Sequence, residues 1–256
     1  MLKTTLLKAT EASGKILQQY FNGPFEVSSK SSVNDLVTEV DKRSETAIIN
    51  IIRETYPDHF ILSEEVGEMK TGSAIKWIID PIDGTVNYAN GIPICCVSIG
   101  VEQDGEIVLG AVYNPFMNEL FVAEKGKGAT LNGVPIHVSQ KTDVGTSFLV
   151  TGFAYKWQDM PNNPLQVLEH LIKQGIPVRR LGSAAIDLCW VACGRFDGFY
   201  EHHLQAWDSA AGFLIVEEAG GKVTDFSGNR YSPYQKELLA TNGHIHSALQ
   251  DLVNGK

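Results

Sequence analysis

Apolar residues recur at helical spacing twice near the start of the chain. Leu2, Leu6, Ala9, Ile16 and Tyr20 fall near one face of a helix over residues 2–20. A second amphipathic helix is predicted after Asp41, with Ile48, Ile51, Ile52 and Tyr56 apolar and Pro57 stopping it. Between them Lys30-Ser31-Ser32-Val33-Asn34-Asp35 reads as a loop, because short polar side chains compete there with regular backbone hydrogen bonding. Residues 59–64 and 75–80 are apolar runs of strand length.

From 95 to 134 the pattern changes to alternation. CVSIGVEQ, then Asp104-Gly105, then EIVLGAVYNP signals a hairpin, since Asp-Gly tolerates the positive φ of a type I′ turn. ELFVAEKGKGATLNG extends this into an antiparallel meander that ends at Asn132-Gly133. Near residue 142 the pattern shifts again. Strand-like SFLVTGF, PVRRLG, DGFYE and GKVTD alternate there with predicted helices at 164–174, 184–193, 208–219 and 244–253. The expected organisation is an N-terminal α+β domain over residues 1–142 and a C-terminal α/β domain over 143–256.

Composition narrows the function. Thirty acidic residues against 21 basic ones give a net charge of −9, which argues against a nucleic-acid surface, because neutralising phosphates takes Lys and Arg. No apolar run reaches the roughly 18 residues of a membrane helix, and the first residues lack a signal-peptide apolar stretch. A soluble, cytoplasmic protein is the expectation. Cys95 and Cys96 are adjacent, and Cys189 and Cys193 stand at helical i,i+4 spacing without partners for a zinc site, so buried free thiols are expected.

Chemistry concentrates in Trp77-Ile78-Ile79-Asp80-Pro81-Ile82-Asp83-Gly84-Thr85. An apolar strand runs into two carboxylates, which are expected to project from one turn at the strand end. Two carboxylates held that close repel unless a cation sits between them. Gly84 and Thr85 supply backbone N–H groups suited to an anion. Ile61-Leu62-Ser63-Glu64-Glu65 places two further acids at a strand end, and Asp208 lies in the first turn of an apolar helix, Trp207-Asp208-Ser209-Ala210-Ala211-Gly212. By themselves, Glu64-Glu65 would be a solvated edge and Asp208 a helix-start residue. Lys125-Gly126-Lys127-Gly128 lacks the Gly-Lys-Ser/Thr ending of a phosphate-binding P-loop and reads as a hairpin turn.

Together these pieces resemble the inositol monophosphatase family of magnesium-dependent, lithium-sensitive sugar phosphatases. The matching segments are Asp35-Leu36-Val37-Thr38 with Asp41, Glu64-Glu65, Trp77 through Thr85 with Asn87-Tyr88, Gly182-Ser183-Ala184-Ala185, and Trp207-Asp208 through Gly212 with Glu217-Glu218-Ala219-Gly220-Gly221. They occur in family order from about residue 2 to residue 250. The resemblance implies a layered α-β-α-β-α sandwich, the sugar-phosphatase fold, in homodimers. It implies two to three Mg2+ ions per subunit, held by Glu64, Asp80, the Ile82 carbonyl, Asp83 and Asp208. Glu64, Thr85 and Asp41 would orient the attacking water. Asp83, Gly84, Thr85, Gly182, Ser183, Ala184, Glu201 and Asp208 would contact the substrate, and Lys30 aligns with a family lysine near the metals. Ser183 doubles as a candidate cap of the following helix, and His202 and His203 read as core or surface residues.

The substrate implied is a small sugar phosphate, first of all inositol 1-phosphate. Gly182-Ser183-Ala184-Ala185-Ile186-Asp187-Leu188-Cys189 looks like the inositol and sugar-phosphate branch, without the Gly-Gly-Asp-Cys of histidinol-phosphate hydrolases or the Ser-Leu-Lys of nucleotide phosphatases. Fructose 1,6-bisphosphate or a broad range of sugar phosphates is the alternative. Ala206 and Ser63 depart from the Pro and Gly that many bacterial members carry. A reading of another class is a regulatory partner of the transcription machinery, since some bacterial relatives work through a surface remote from the metals.

Overall fold

The computed structural model describes residues 1–29, 36–153 and 164–255. The predicted loop from Lys30 to Asp35 lies outside them. Two long helices, α1 (Leu2–Tyr20) and α2 (Glu39–Thr55), follow the predicted amphipathic pattern. α2 begins two residues before Asp41, because Thr38 caps it: the Thr38 amide donates to Asp41 Oδ2 at 2.8 Å and the Asp41 amide donates to Thr38 Oγ1 at 3.3 Å. Short strands β1 (Val27–Ser29) and β2 (Leu36–Thr38) pair antiparallel ahead of it.

The large sheet is built from β3 (Phe60–Ser63), β4 (Gly67–Met69), β5 (Ile75–Asp83), β6 (Cys96–Gln103), β7 (Glu106–Asn114), β8 (Glu119–Glu124), β9 (Ala129–Leu131) and β10 (Val134–Pro135). Its order is β10-β9-β8-β7-β6-β5-β3-β4. The meander is antiparallel as predicted, and only β3 runs parallel to its neighbour β5. Asp104 and Gly105 sit at φ 51° and 82°, and Asn132 and Gly133 at 51° and 80°, as type I′ turns require.

Both faces of this sheet are covered, which explains why β5 is apolar throughout. Trp77 and Ile79 pack with Leu6, Leu17, Ile48 and Ile52 of α1 and α2, while Ile78 points the other way into a second cluster. A short helix, α3 (Thr85–Ala89), follows β5 directly. The second cluster is filled by α5 (Ala184–Ala192) and α6 (Ala206–Glu218). Across them lies a five-stranded mixed sheet of β11 (Leu149–Thr151), β12 (Val178–Arg180), β13 (Gly198–His202), β14 (Lys222–Thr224) and β15 (Glu237–Thr241), in the order β12-β11-β13-β15-β14. Val150, Phe199, Leu238 and Ala240 face α5 and α6. Their neighbours Leu149, Tyr200 and Leu239 face α4 (Pro164–Lys173) and α7 (His246–Val253). The result is an α-β-α-β-α sandwich.

Strand β15 escaped the sequence reading, since its three apolar residues, Leu238-Leu239-Ala240, are too few to distinguish strand from helix even with Asn242-Gly243 marking its end. The small residues of α6 set its height over the sheet. A Cβ on Gly100 would stand 2.9 Å from Ala210 Cβ, and one on Gly110 would stand 2.8 Å from the Ala211 carbonyl oxygen. Among the described residues no helix is long and apolar enough to cross a membrane.

Candidate active site

The acidic strand end differs from the expected turn. β5 continues through Pro81 to Asp83, and its pairing with β6 slips between Asp80 and Asp83. Pro81 has no N–H to give the ladder, which favours such an irregularity. Both carboxylates are buried. Because β3 lies parallel beside β5, Glu64 follows directly from its end, and the Glu64 amide donates to the Ile79 carbonyl at 3.2 Å. The Glu64 and Asp80 carboxyls share a hydrogen bond. Burial first, then the charges of Glu64, Asp83 and Asp208, push Asp80 well above the usual carboxylate range.

Asp83 reaches across the molecule. Its Oδ2 accepts from Ser183 Oγ at 2.6 Å and from the Ala185 amide at 2.7 Å. The start of α5 is therefore capped by a carboxylate from the other sheet. Ser183 sits at the cap position but makes no side-chain cap bond of its own, donating to Asp83 instead. Burial raises Asp83 to about 6 against the pull of these donors.

Gly84 turns the chain at φ 92°, and a Cβ there would lie 2.9 Å from the Ile94 carbonyl oxygen and 3.2 Å from that of Gly182. This close approach brings the start of α3 against Gly182-Ser183-Ala184. Asn87 fixes it, donating through Nδ2 to the carbonyls of Ile94 (2.7 Å) and Leu181 (2.8 Å). The Thr85 hydroxyl lies 3.1 Å from Asp41 Oδ1 and 2.9 Å from the Ile82 carbonyl, either of which accepts its proton. Burial lifts Asp41 to about 6, opposed by its bonds from Thr38.

Asp208 occupies the first turn of α6 and accepts from the Gln205 amide at 2.6 Å through Oδ2. Burial and the charge of Asp83 raise it strongly, with Glu64 adding and Lys236 opposing. Glu201, on β13, packs so close to Gly152 that a Cβ there would overlap its carboxylate. Burial, with the charges of Asp208 and Asp83, lifts Glu201 to about 8 against Arg180. Glu64, Asp80, Asp83 and Asp208 thus act on one another, and Glu201 joins them through Asp83 and Asp208, although they come from separate stretches of the chain. Among the described residues no three His, Cys, Asp or Glu side chains stand close enough to enclose a metal ion unaided.

Other expectations resolve simply. His202 is buried and His203 exposed; Cys95, Cys96 and Cys189 are buried free thiols, and Cys193 is half-buried. Lys30 lies outside the described residues. Sequence reasoning passed over Asp187, whose carboxyl is buried in the first turn of α5 with Oδ1 lacking a hydrogen-bond partner among the described residues. After burial, the charge of Glu201 is the main influence raising it.

Helix starts and strand ends converging on buried acids, inside a five-layer sandwich, define the sugar-phosphatase class of fold. Comparison with known proteins narrows the class. The sequence pattern of the inositol monophosphatase family matches residues 2–256. The chain is 41% identical to the Nus factor SuhB of Pasteurella multocida, over 99% of this chain and 92% of that one. It is 45% identical to an inositol-1-monophosphatase of Synechocystis, over 98% and 89% of the two chains. The solved inositol monophosphatase of Anabaena (Nostoc) superposes with a TM-score of 0.86 at 41% identity, covering 97% of this chain and 93% of that one. The chain belongs to the inositol monophosphatase family.

Proposed function

We propose that this protein hydrolyses a small sugar or polyol phosphomonoester, inositol 1-phosphate before others, with two to three Mg2+ ions per subunit. The observation that carries this reading is the mutual electrostatic burden on Glu64, Asp80, Asp83 and Asp208. The leading charges acting on Asp80, from Glu64, Asp83 and Asp208, are all negative, and like charges crowded out of water in this way call for a cation among them. The donors are all oxygens, the set a hard divalent ion prefers. Glu64, Asp80, the Ile82 carbonyl, Asp83 and Asp208 would hold the ions.

Such ions would supply, when bound, a water more acidic than bulk water and positive charge to offset that on the leaving oxygen. The chain's own groups do the rest. Asp83 keeps Oδ2 on α5, which fixes the direction of its remaining oxygen. The Thr85 hydroxyl, donating to Asp41, presents a lone pair that orients the attacking water, with Glu64 as the second acceptor. The Gly84 and Thr85 amides hold phosphate oxygens. Glu201 accepts from vicinal hydroxyls of the substrate, and Gly182, Ser183 and Ala184 shape the wall beside it.

Turnover of inositol 1-phosphate is measured with and without Mg2+, and then with Li+. Mg2+-dependent, Li+-inhibited release of phosphate is expected, with Asp83→Asn inactive. Absence of turnover on any sugar phosphate overturns the reading. A rate on fructose 1,6-bisphosphate equal to that on inositol 1-phosphate replaces it with a broad specificity. A second reading is favoured by the relatives: 41% identity to a protein named as a Nus factor stands beside 45% identity to one named as a phosphatase. Retention of transcription-complex binding by Asp83→Asn would assign that role to a separate surface.

A further inference from the structure

One turn of α2 faces the acidic site. Asp41, Ser44 and Glu45, at i, i+3 and i+4, lie buried on the same side of the helix as Val40, Ile48 and Ile52. Each reaches a different segment. Asp41 meets Thr85. Ser44 donates to the Pro81 carbonyl at 3.0 Å, so the Ser13 hydroxyl, 2.6 Å away, donates to Ser44. Glu45 Oε1 accepts from the Ser63 hydroxyl, from the Glu65 amide at 3.2 Å and from the Val66 amide at 3.1 Å. Those three donors bracket Glu64.

We propose that Glu45 is a positioning residue: it tethers the 63–66 segment so that Glu64 is held toward Asp80 before any ion arrives, and thereby sets the affinity of the site for Mg2+. This rests on the function proposed above. The physical ground is the loss of conformational freedom that a free turn would suffer on offering Glu64 as a ligand. A turn already tied at three points, one before Glu64 and two after it, has little left to lose. The donors to Oε1 are a hydroxyl and two backbone amides, so the role depends on the reach and acceptor capacity of the side chain. Its charge is secondary. Ser63 gives this chain one tether that a glycine at that position would lack.

Reach and charge separate cleanly in two variants. Glu45→Asp keeps the charge and withdraws the carboxylate by one methylene, whereas Glu45→Gln keeps the reach and an acceptor oxygen. Mg2+ affinity is read by calorimetry, alongside hydrogen exchange of the Glu65 and Val66 amides in the metal-free protein. Loss of an outer-layer partner typically weakens metal binding roughly 10–100-fold, and Glu45→Asp is expected in that range with faster exchange at both amides. Glu45→Gln is expected to stay within about 3-fold of the parent, because the same bonds form to a neutral acceptor. Ser63→Ala, which removes one donor and leaves α2 untouched, falls between them and serves if Glu45→Asp fails to fold.

Parental Mg2+ affinity and exchange in Glu45→Asp, or in Ser63→Ala where that variant stands in, overturn the proposal. So does Glu45→Gln impaired as deeply as Glu45→Asp, which would assign the effect to charge. A parent protein that neither binds Mg2+ nor turns over a sugar phosphate defeats the function instead. Exchange at Glu65 and Val66 still decides the tether in that case.

Discussion

At the scale of single residues, Thr85 is the most economical test of the water-orienting relay. Its hydroxyl lies within reach of Asp41 and the Ile82 carbonyl and gives its one proton to either, and Thr85→Ala removes that bond without emptying the core. Steady-state kinetics at saturating Mg2+ should show kcat reduced by about 10²–10³-fold, the usual scale of positioned proton transfer, with KM and melting temperature little changed. A fall in KM affinity with kcat intact would make Thr85 a binding group only. Asp80 and Asp83 stand out in the sequence because they close the apolar run Trp77-Ile78-Ile79, whereas Glu64 and Asp208 by themselves read as a solvated edge and a helix start and join them only through the family resemblance. Glu45, Ser44 and Asp187 do not stand out. Their only mark is a polar side chain on an otherwise apolar helical face, and its meaning depends on what lies opposite.

Among the elements, α6 depends on small residues in the sheet beneath it. Its first turn holds Asp208 over β5 only because Gly100 and Gly110 let the helix settle against the sheet. Gly110→Ala would set a methyl 2.8 Å from the Ala211 carbonyl oxygen and 3.0 Å from Ala211 Cα. Overpacking of this kind costs about 1–3 kcal/mol, seen as an earlier denaturant midpoint, and it should weaken Mg2+ binding by lifting Asp208. Equal stability and affinity would show that α6 has slack. Most elements follow from period and turn chemistry, and the type I′ pairs fix the meander. β15 and the start of α2 needed three dimensions: one is an apolar run too short to declare its period, the other hangs on a Thr38–Asp41 bond.

For the molecule as a whole, protonation and the proposed metal would compete for the same acids. His202 and His246, buried with folded-state values near 4, sit below the unfolded value. The unfolded chain therefore binds more protons between about 4 and 6.5, and stability rises with pH across that window. Glu201, raised to about 8, acts in the opposite sense. The folded state holds its proton longer, so stability falls as pH climbs from about 4.5 to 8, and Asp41 and Asp83, raised to about 6, add to the fall at its lower end. Above pH 6.5 only the acids remain in play. Metal-free protein should therefore melt lower at pH 8 than at pH 6.5, and the rise in melting temperature on adding Mg2+ should be larger at pH 8, since binding displaces protons. A Mg2+ effect independent of pH would mean that these acids are ionised before the metal arrives.

Asp83 gives that coupling a mechanical side. One of its oxygens ties down the first turn of α5, a helix packed against both sheets, while the same carboxyl stands among the acids of the site. The side chain works as a rigid link between pocket and scaffold. Tilting α5 by a fraction of an ångström would move the Asp83 carboxyl, and an ion held there as proposed would stiffen α5 in return. The proposed site is thereby addressable through the middle layer of the sandwich, by way of a helix that never enters it.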